Sequence, residues 1–260
     1  MLYKSVVISL SIVTLAFSKT TLPNIPTSTF SIVARDAKTN ELGVAVQSKF
    51  IAVGSVVPYA KAGIGAVESQ AWGNVQYGPV GLTLLSKGKK ADQVISLMIN
   101  ADPLQKHRQV AIINQEGNTS NHTGIECLNW AGSRSGKNFS VQGNLLTGPE
   151  VVEAMANSFK QSSGFLAERL IEALKAGQVA VGDKRGMQSA ALLIVKENWG
   201  YGGLNDRFRD LRLDDHSNPI QELNRIYKIH RKVFPRPDQH DKSKTRAEDH
   251  KKKRPIGHRF

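Results

Sequence analysis

Hydrophobic positions along the 260-residue chain change their period several times, and each change marks an element boundary. Phe30 to Ala34 and Leu42 to Val46 are short apolar-rich runs joined by the turn-forming Ala37-Lys38-Thr39-Asn40, which predicts two strands in a hairpin. Two more extended runs follow, "GSVVPYA" and "AGIGAVESQ", with glycines where backbones must come close. From Pro79 the spacing becomes helical. "PVGLTLLSKG" and "KADQVISLMINA" predict a helical pair broken at Gly88. Strands resume in "RQVAIINQEG", which turns at Glu116-Gly117-Asn118, and in "KNFSVQGNLL". Gly148-Pro149 opens a second helical pair, "PEVVEAMANSFKQ" and "FLAERLIEALKAG". "MQSAALLIVKEN" and "FRDLRLDDH" predict the last strands. "NPIQELNRIYKIH" predicts a terminal helix with Asn218 as its cap and Pro219 in its first turn.

Single helices do not alternate with single strands here, so a plain doubly wound sheet is excluded. The order fits an α+β chain with two antiparallel sheets stacked between helical layers, a four-layer αββα sandwich. No linker or repeat interrupts residues 29–232, which are expected to form one domain.

The ends read differently. Residues 1–18 carry Lys4, an apolar run from Val6 to Phe17 and small residues before a cut after Ser18, the pattern of a secretory signal peptide. The run is too short to span a bilayer. Residues 19–28 then form a short linker or pro-segment. Export, to the periplasm in a bacterial host, fits the three glycosylation acceptors at Asn118, Asn121 and Asn138. Cys127 is the sole cysteine, so no intrachain disulfide forms and the residue reads as a small buried hydrophobe.

Composition, 40% hydrophobic and 22% charged, is that of a soluble globular protein, but the net charge of +13 is unevenly spread. From Arg231 to Phe260, 11 Lys/Arg face 4 Asp/Glu, so most of the excess sits in the last thirty residues. Residues 233–260 lack apolar periodicity and are expected to be a disordered basic tail, solvated or held at an anionic surface. No specific nucleic-acid target is expected.

Four stretches could carry chemistry. "GDKRGMQSAALL" aims Asp183, Arg185 and Ser189 from a tight turn at the mouth of a strand, or is a salt-bridged surface turn. "ESQAWGNVQYGPVG" sets Ser69, Gln70 and Asn74 among glycines, as a pocket floor or as ordinary turn chemistry. "VQGNLLTGPE" offers Gln142 and Asn144 ahead of a helix start. "DLRLDDH" alternates Asp210, Arg212 and Asp214 on one strand face, as a charged site or an ion-pair ladder. The scattered histidines give no zinc motif, and no Gly-x-Ser-x-Gly elbow or phosphate-cradling loop occurs, so neither metal nor cofactor is expected.

Taken in order, "TFSIVARD", "ELGVAVQSKF", "GAVESQAWGNVQYGPVG", "HTGIECLNWAGSRSG", "VQGNLLTGPEVV", "GDKRGMQSAALLIV" and "DLRLDDHSNPIQEL" resemble DUF1028. This is a domain family of unknown function grouped with the N-terminal-nucleophile hydrolases. The resemblance implies the same αββα fold. It gives Thr29 the role of nucleophile, with its α-amine as base once the preceding peptide bond is cut. By the same resemblance Asn144, Gln70 and the backbone near Gly73 would hold the oxyanion. Lys61, with Lys49 as second choice, would lower the amine's pKa. Ala45 and Val46 stand where proteasome-like enzymes carry an acid, with Asp36 or Glu41 as displaced substitutes. In the family pattern Thr-Phe often directly follows the initiator Met. Here Lys19 to Ser28 intervene, so exposure of Thr29 requires a cut at Ser28-Thr29.

The expected function is a secreted amide-bond hydrolase acting on a small amide or peptide, with Thr29, Lys61, Asp183 and Asn144 catalytic. Ser69, Gln70, Asn74, Arg185 and Ser189 would bind substrate. The alternative is a non-catalytic binding module on the same scaffold, and a homo-oligomer is compatible with either.

Overall fold

The computed structural model describes residues 28–183 and 185–239. The signal peptide expected at 1–18, the pro-segment through 27, Lys184 and the tail from 240 onward lie outside the described residues.

The predicted hairpin is β1 (Thr29–Arg35) and β2 (Leu42–Ser48), and its turn closes because Asp36 Oδ1 accepts the backbone N–H groups of Lys38 and Thr39. Then come β3 (Pro58–Lys61), β4 (Gly65–Ala71), α1 (Tyr77–Ser86), α2 (Ala91–Asn100), β5 (Arg108–Asn114) and β6 (Thr119–Thr123). They are followed by β7 (Gly132–Gly136), β8 (Phe139–Asn144), α3 (Glu150–Gln161), α4 (Leu166–Val179), β9 (Ser189–Val195), β10 (Arg207–Leu213) and α5 (Pro219–Val233).

Three details depart from the sequence reading. "GSVVPYA" is strand only from Pro58 onward. Ahead of it Val53–Ser55 is a 3₁₀ turn, tied down where Val53 N–H donates to Ser189 Oγ and Ala52 N–H to the Asp214 carbonyl. Pro58 is tolerated because β3 is a sheet edge. Strand β7 was not anticipated, since an edge strand of Gly, Ser and Arg shows no apolar alternation. Asn218 occupies the N-cap position of α5, but its Nδ2 donates to Gln221 Oε1 instead of its side chain capping the backbone.

The strands form two antiparallel sheets, six-stranded β10-β9-β2-β1-β8-β7 and four-stranded β3-β4-β5-β6. Alternation along β1 sorts its side chains. Phe30, Ile32 and Ala34 join the cluster formed with the buried faces of α3, α4 and α5, with α4 lying directly on β1, whereas Val33 joins Val44, Ala66, Ala111, Ile113 and Leu193 between the sheets. On the far side of the smaller sheet, Val67, Val110 and Ile112 lie under α1 and α2. Both sheets are thus covered on both faces, which is why their strands read as nearly continuous apolar runs. Each fully buried Leu, Ile, Val or Phe contributes about 1.5–3 kcal/mol. Gly78 lets α1 lie directly on β3, because a Cβ there would run into the Tyr59 ring.

The ordered body continues beyond Lys232. Arg236, only 3% exposed, donates to both carboxylate oxygens of Glu41 and stacks on Phe165 and Trp199. Of the glycosylation acceptors, Asn118 is exposed in the β5–β6 turn. Asn121 is engaged by Ser133 and Ser135, and Asn138 Oδ1 by Arg35.

Candidate active site at the head of the first strand

The layer between the sheets is apolar at one end and polar at the other. Register places Thr29, at the start of β1, between Ser48 of β2 and Asn144 of β8, with Ser189 of β9 beyond Ser48. These small polar residues share one face. Opposite them, on the smaller sheet, Gln70 of β4 and Gln109 of β5 are themselves register partners. All six are buried, with Thr29 3% exposed.

Their polar groups interlock. Gln70 Nε2 donates to Gln109 Oε1 at 2.8 Å and to the Thr29 carbonyl at 3.4 Å, and Asn144 Nδ2 donates to Gln109 Oε1 at 3.1 Å. Gln109 Nε2 in turn donates to the Gly143 carbonyl at 2.9 Å. Ser31, one pleat deeper, donates to Gln70 Oε1. The network bridges the two sheets and fixes the amide orientations.

Around the Ser28-Thr29 peptide the contacts are closer. Thr29 Oγ1 lies 2.9 Å from Ser48 Oγ, and Ser48 Oγ donates at 2.5 Å to the Ser28 carbonyl oxygen. A hydroxyl has one proton to give, so the bond between the two side chains runs from Thr29 O–H to Ser48 Oγ. Ser28 is fully buried, and its own hydroxyl donates to the Leu145 carbonyl at 3.2 Å.

Three non-glycine residues in the left-handed region border this end: Ala71 (φ 63) after Gln70, Leu145 (φ 55) after Asn144, and Val181 (φ 71) shortly before Asp183. Such conformations cost of order 1–3 kcal/mol each and concentrate at functional sites. Asp183 pairs with Leu146 in an isolated bridge. Its carboxylate accepts the N–H groups of Lys49 and Arg185 at 3.3 and 2.7 Å, with the Arg185 guanidinium at 3.5 Å.

Beneath Ser31 lies Glu68, fully buried, with neither carboxylate oxygen hydrogen-bonded among the described residues. Burial holds its carboxyl well above the usual carboxylate range. Gln142, the register partner of Ser31, likewise has both amide atoms buried without a partner among the described residues.

The structure therefore gathers Thr29, Gln70 and Asn144, with Asp183 and Arg185 in the loop beside Lys49. It does not gather the rest. Ser189 is on the row, but its hydroxyl is spent on the Phe50 carbonyl and the Val53 N–H. Ser69 is on the other face of β4, and Asn74 lies in the loop that follows it. Ser69 Oγ donates to the Asn74 carbonyl, and Asn74 Nδ2 donates to Asp102. Asp102 also accepts from Tyr77 and Arg108 and borders a cleft of about 330 Å³ with Val80, Leu84, Leu97 and Met98. Burial raises the Asp102 pKa, but Arg108, Asn74, the Leu104 N–H and Tyr77 outweigh it and bring the carboxyl down to about 2. Lys61 is exposed and pairs with Gly65, the opposite end of β4 from Gln70. Asp36 and Glu41 sit at the far end of the β1–β2 hairpin, and Glu41 is bound to Arg236. Asp210 and Arg212 bond to each other, the ion-pair ladder. Ser48 and Gln109 were not anticipated, although pairing β1 with β2 across the 36–41 turn would have set Ser48 opposite Thr29.

No curated protein sequence matches the chain. Among solved structures it is similar to protein SPO2555 from Silicibacter pomeroyi, whose crystal structure is described as DUF1028. The two are 29% identical with a TM-score of 0.72, over 78% of this chain and 89% of that one. The model of the family of unknown function DUF1028 matches residues 29–223 and so begins at Thr29 itself. The chain belongs to the DUF1028 family.

Proposed function

We propose that this protein is a secreted amide-bond hydrolase of the N-terminal-nucleophile type, an αββα sandwich whose nucleophile is Thr29 after the Ser28-Thr29 bond is cut. The observation that carries the reading is the single Ser48 hydroxyl bonded to both Thr29 Oγ1 and the Ser28 carbonyl oxygen.

In the uncut chain the Thr29 nitrogen is an amide and cannot act as base. Ser48 supplies the missing proton path. As Thr29 Oγ1 attacks the Ser28 carbonyl carbon, its proton passes to Ser48 while the Ser48 proton passes to the carbonyl oxygen. Collapse breaks the C–N bond, the nitrogen takes that proton, and Ser28 is left as an ester on Thr29. Water then cleaves the ester, giving a Ser28 carboxylate and a free Thr29 amine. That amine, with a pKa of roughly 7.7–8.0, is part-neutral near pH 7 and takes the hydroxyl proton in each later turnover. The proton goes on to the departing amine of the substrate, and water releases the acyl group. A donor aimed at the developing oxyanion, as Ser48 is, contributes roughly 3–4 kcal/mol.

Intact-mass analysis of the purified full chain tests this. Wild type is expected to begin at Thr29. Ser48→Ala is expected to slow the cut by about 10²–10³, and Ser48→Thr to restore it. A wild-type chain that keeps its residues before Thr29, or a Ser48→Ala chain cut at the wild-type rate, sinks the mechanism.

A further inference from the structure

Ser28 is itself an acyl group sitting against the candidate nucleophile, and its surroundings describe what that position accepts. The side chain is wholly buried. Its hydroxyl donates to the Leu145 carbonyl, and its carbonyl oxygen receives the Ser48 hydroxyl. The acceptor is preset by its own backbone. Leu145 adopts φ 55, so the chain leaves β8 immediately after Asn144. Leu145 N–H donates to the Leu128 carbonyl, Leu146 exchanges both backbone bonds with Trp130, and Thr147 N–H donates to the Gly182 carbonyl. A wall pinned at three successive residues cannot turn its carbonyl to suit a different guest.

We infer that the space filled by Ser28 is the acyl-group subsite of the mature enzyme, and that the substrate is an amide whose acyl part is a small, hydroxyl-bearing residue such as serine. The inference rests on Thr29 being the nucleophile. Given that, the ester formed from Ser28 and the ester formed from an external amide are the same species: an acyl carbon on Thr29 Oγ1. In both, the carbonyl oxygen points at the Ser48 hydroxyl. Fixing the carbonyl carbon and oxygen fixes the place of the Cα, and in the uncut chain the side chain on it turns toward Leu145. A guest without a donor leaves the part-buried Leu145 carbonyl without this partner, which is penalised beyond the loss of one bond. A longer guest must displace packed backbone, which close-packed interiors resist. The hydroxyl is therefore read by the Leu145 carbonyl, and the size limit is set by the wall behind it.

The test uses full-length protein whose mature N-terminus has been confirmed as Thr29 by mass, with aminoacyl-coumarin amides of serine, alanine, leucine and arginine as probes. The serine amide is expected to exceed alanine in kcat/KM by about tenfold, the size of one neutral hydrogen bond plus the unpaired acceptor. Leucine and arginine are expected to fall at least about 100-fold below serine. Within the chain, Ser28→Ala should slow the self-cut by a similar tenfold, and Ser28→Leu should stop it in a protein that still unfolds cooperatively, at a lowered melting temperature. Alanine or leucine amides turned over as fast as serine, or a Ser28→Leu chain cut at the wild-type rate, overturn the subsite. Failure of every amide on a chain with a free Thr29 amine overturns the hydrolase reading instead.

Discussion

Replacing Glu68 with glutamine removes a titrating group from between the sheets at nearly constant shape. In the folded protein, burial holds this carboxyl well above the usual range; in the unfolded chain it returns to about 4.3. Between those two values the folded state keeps a proton that the unfolded state releases. The stability that Glu68 contributes is therefore fully present below the unfolded value and is lost as pH rises through the folded one. One such proton gives a slope of about 1.4 kcal/mol per pH unit inside that window. Glutamine stays neutral throughout and buries a comparable polar group, so the two proteins should match near pH 4. Above that, the Glu68→Gln variant should gain on wild type by about 1.4 kcal/mol for every pH unit crossed within the window. Urea melts at half-unit steps from pH 4 to 8 measure this, with unchanged m-values as evidence that the unfolded state is comparable. Taking the difference between the two proteins cancels every other titrating group. Parallel stability curves over the whole range would refute the placement of an unpaired carboxyl between the sheets.

Arg236→Ala leaves the buried Glu41 without its ion-pair partner, and urea melts should show a loss of about 3–5 kcal/mol; Glu41→Ala should cost less, because Arg236 keeps both bonds to Asp238. Ending the chain after Lys232 should cost at least as much as Arg236→Ala, because it also removes the Phe234 carbonyl that accepts from the buried Arg209. Asp102→Ala removes the carboxylate paired with Arg108, which keeps only the Trp72 carbonyl among the described residues, and the acceptor of the Tyr77 hydroxyl at the start of α1, with an expected loss of about 3–5 kcal/mol in the same assay. Burial pushes the Cys127 thiol up to about 11, so a thiol reagent at pH 8 should leave the folded protein unlabelled and react fully once urea is added.

Much of the fold was legible because period is a local property. Helical spacing in "KADQVISLMINA", alternation in "TFSIVARD" and the Gly148-Pro149 break each identify an element without reference to the rest of the chain. Edge strand β7, whose Gly, Ser and Arg residues bury little, left no such trace.

The candidate site divides along the same line. Thr29 at the head of a strand, and amides at Gln70 and Asn144, stand out in the sequence by type and motif. Which of their neighbours belong with them does not, because side chains one residue apart on a strand face opposite ways. Ser69 therefore joins Asn74 and Asp102 while Gln70 joins Thr29. Lys61 was placed by its distance along the chain, but the β3–β4 hairpin carries it to the far end of the sheet. Ser48 and Gln109 reach the site only through strand register and the stacking of one sheet on the other. The sequence by itself determined most of the elements, β7 excepted, and the strand that begins at Thr29. Hairpin pairing sets Ser48 opposite Thr29, but only the tertiary structure decided that its hydroxyl touches both sides of the bond before Thr29, because the course of the chain ahead of β1 and the packing of side chains between sheets are choices that no local pattern encodes.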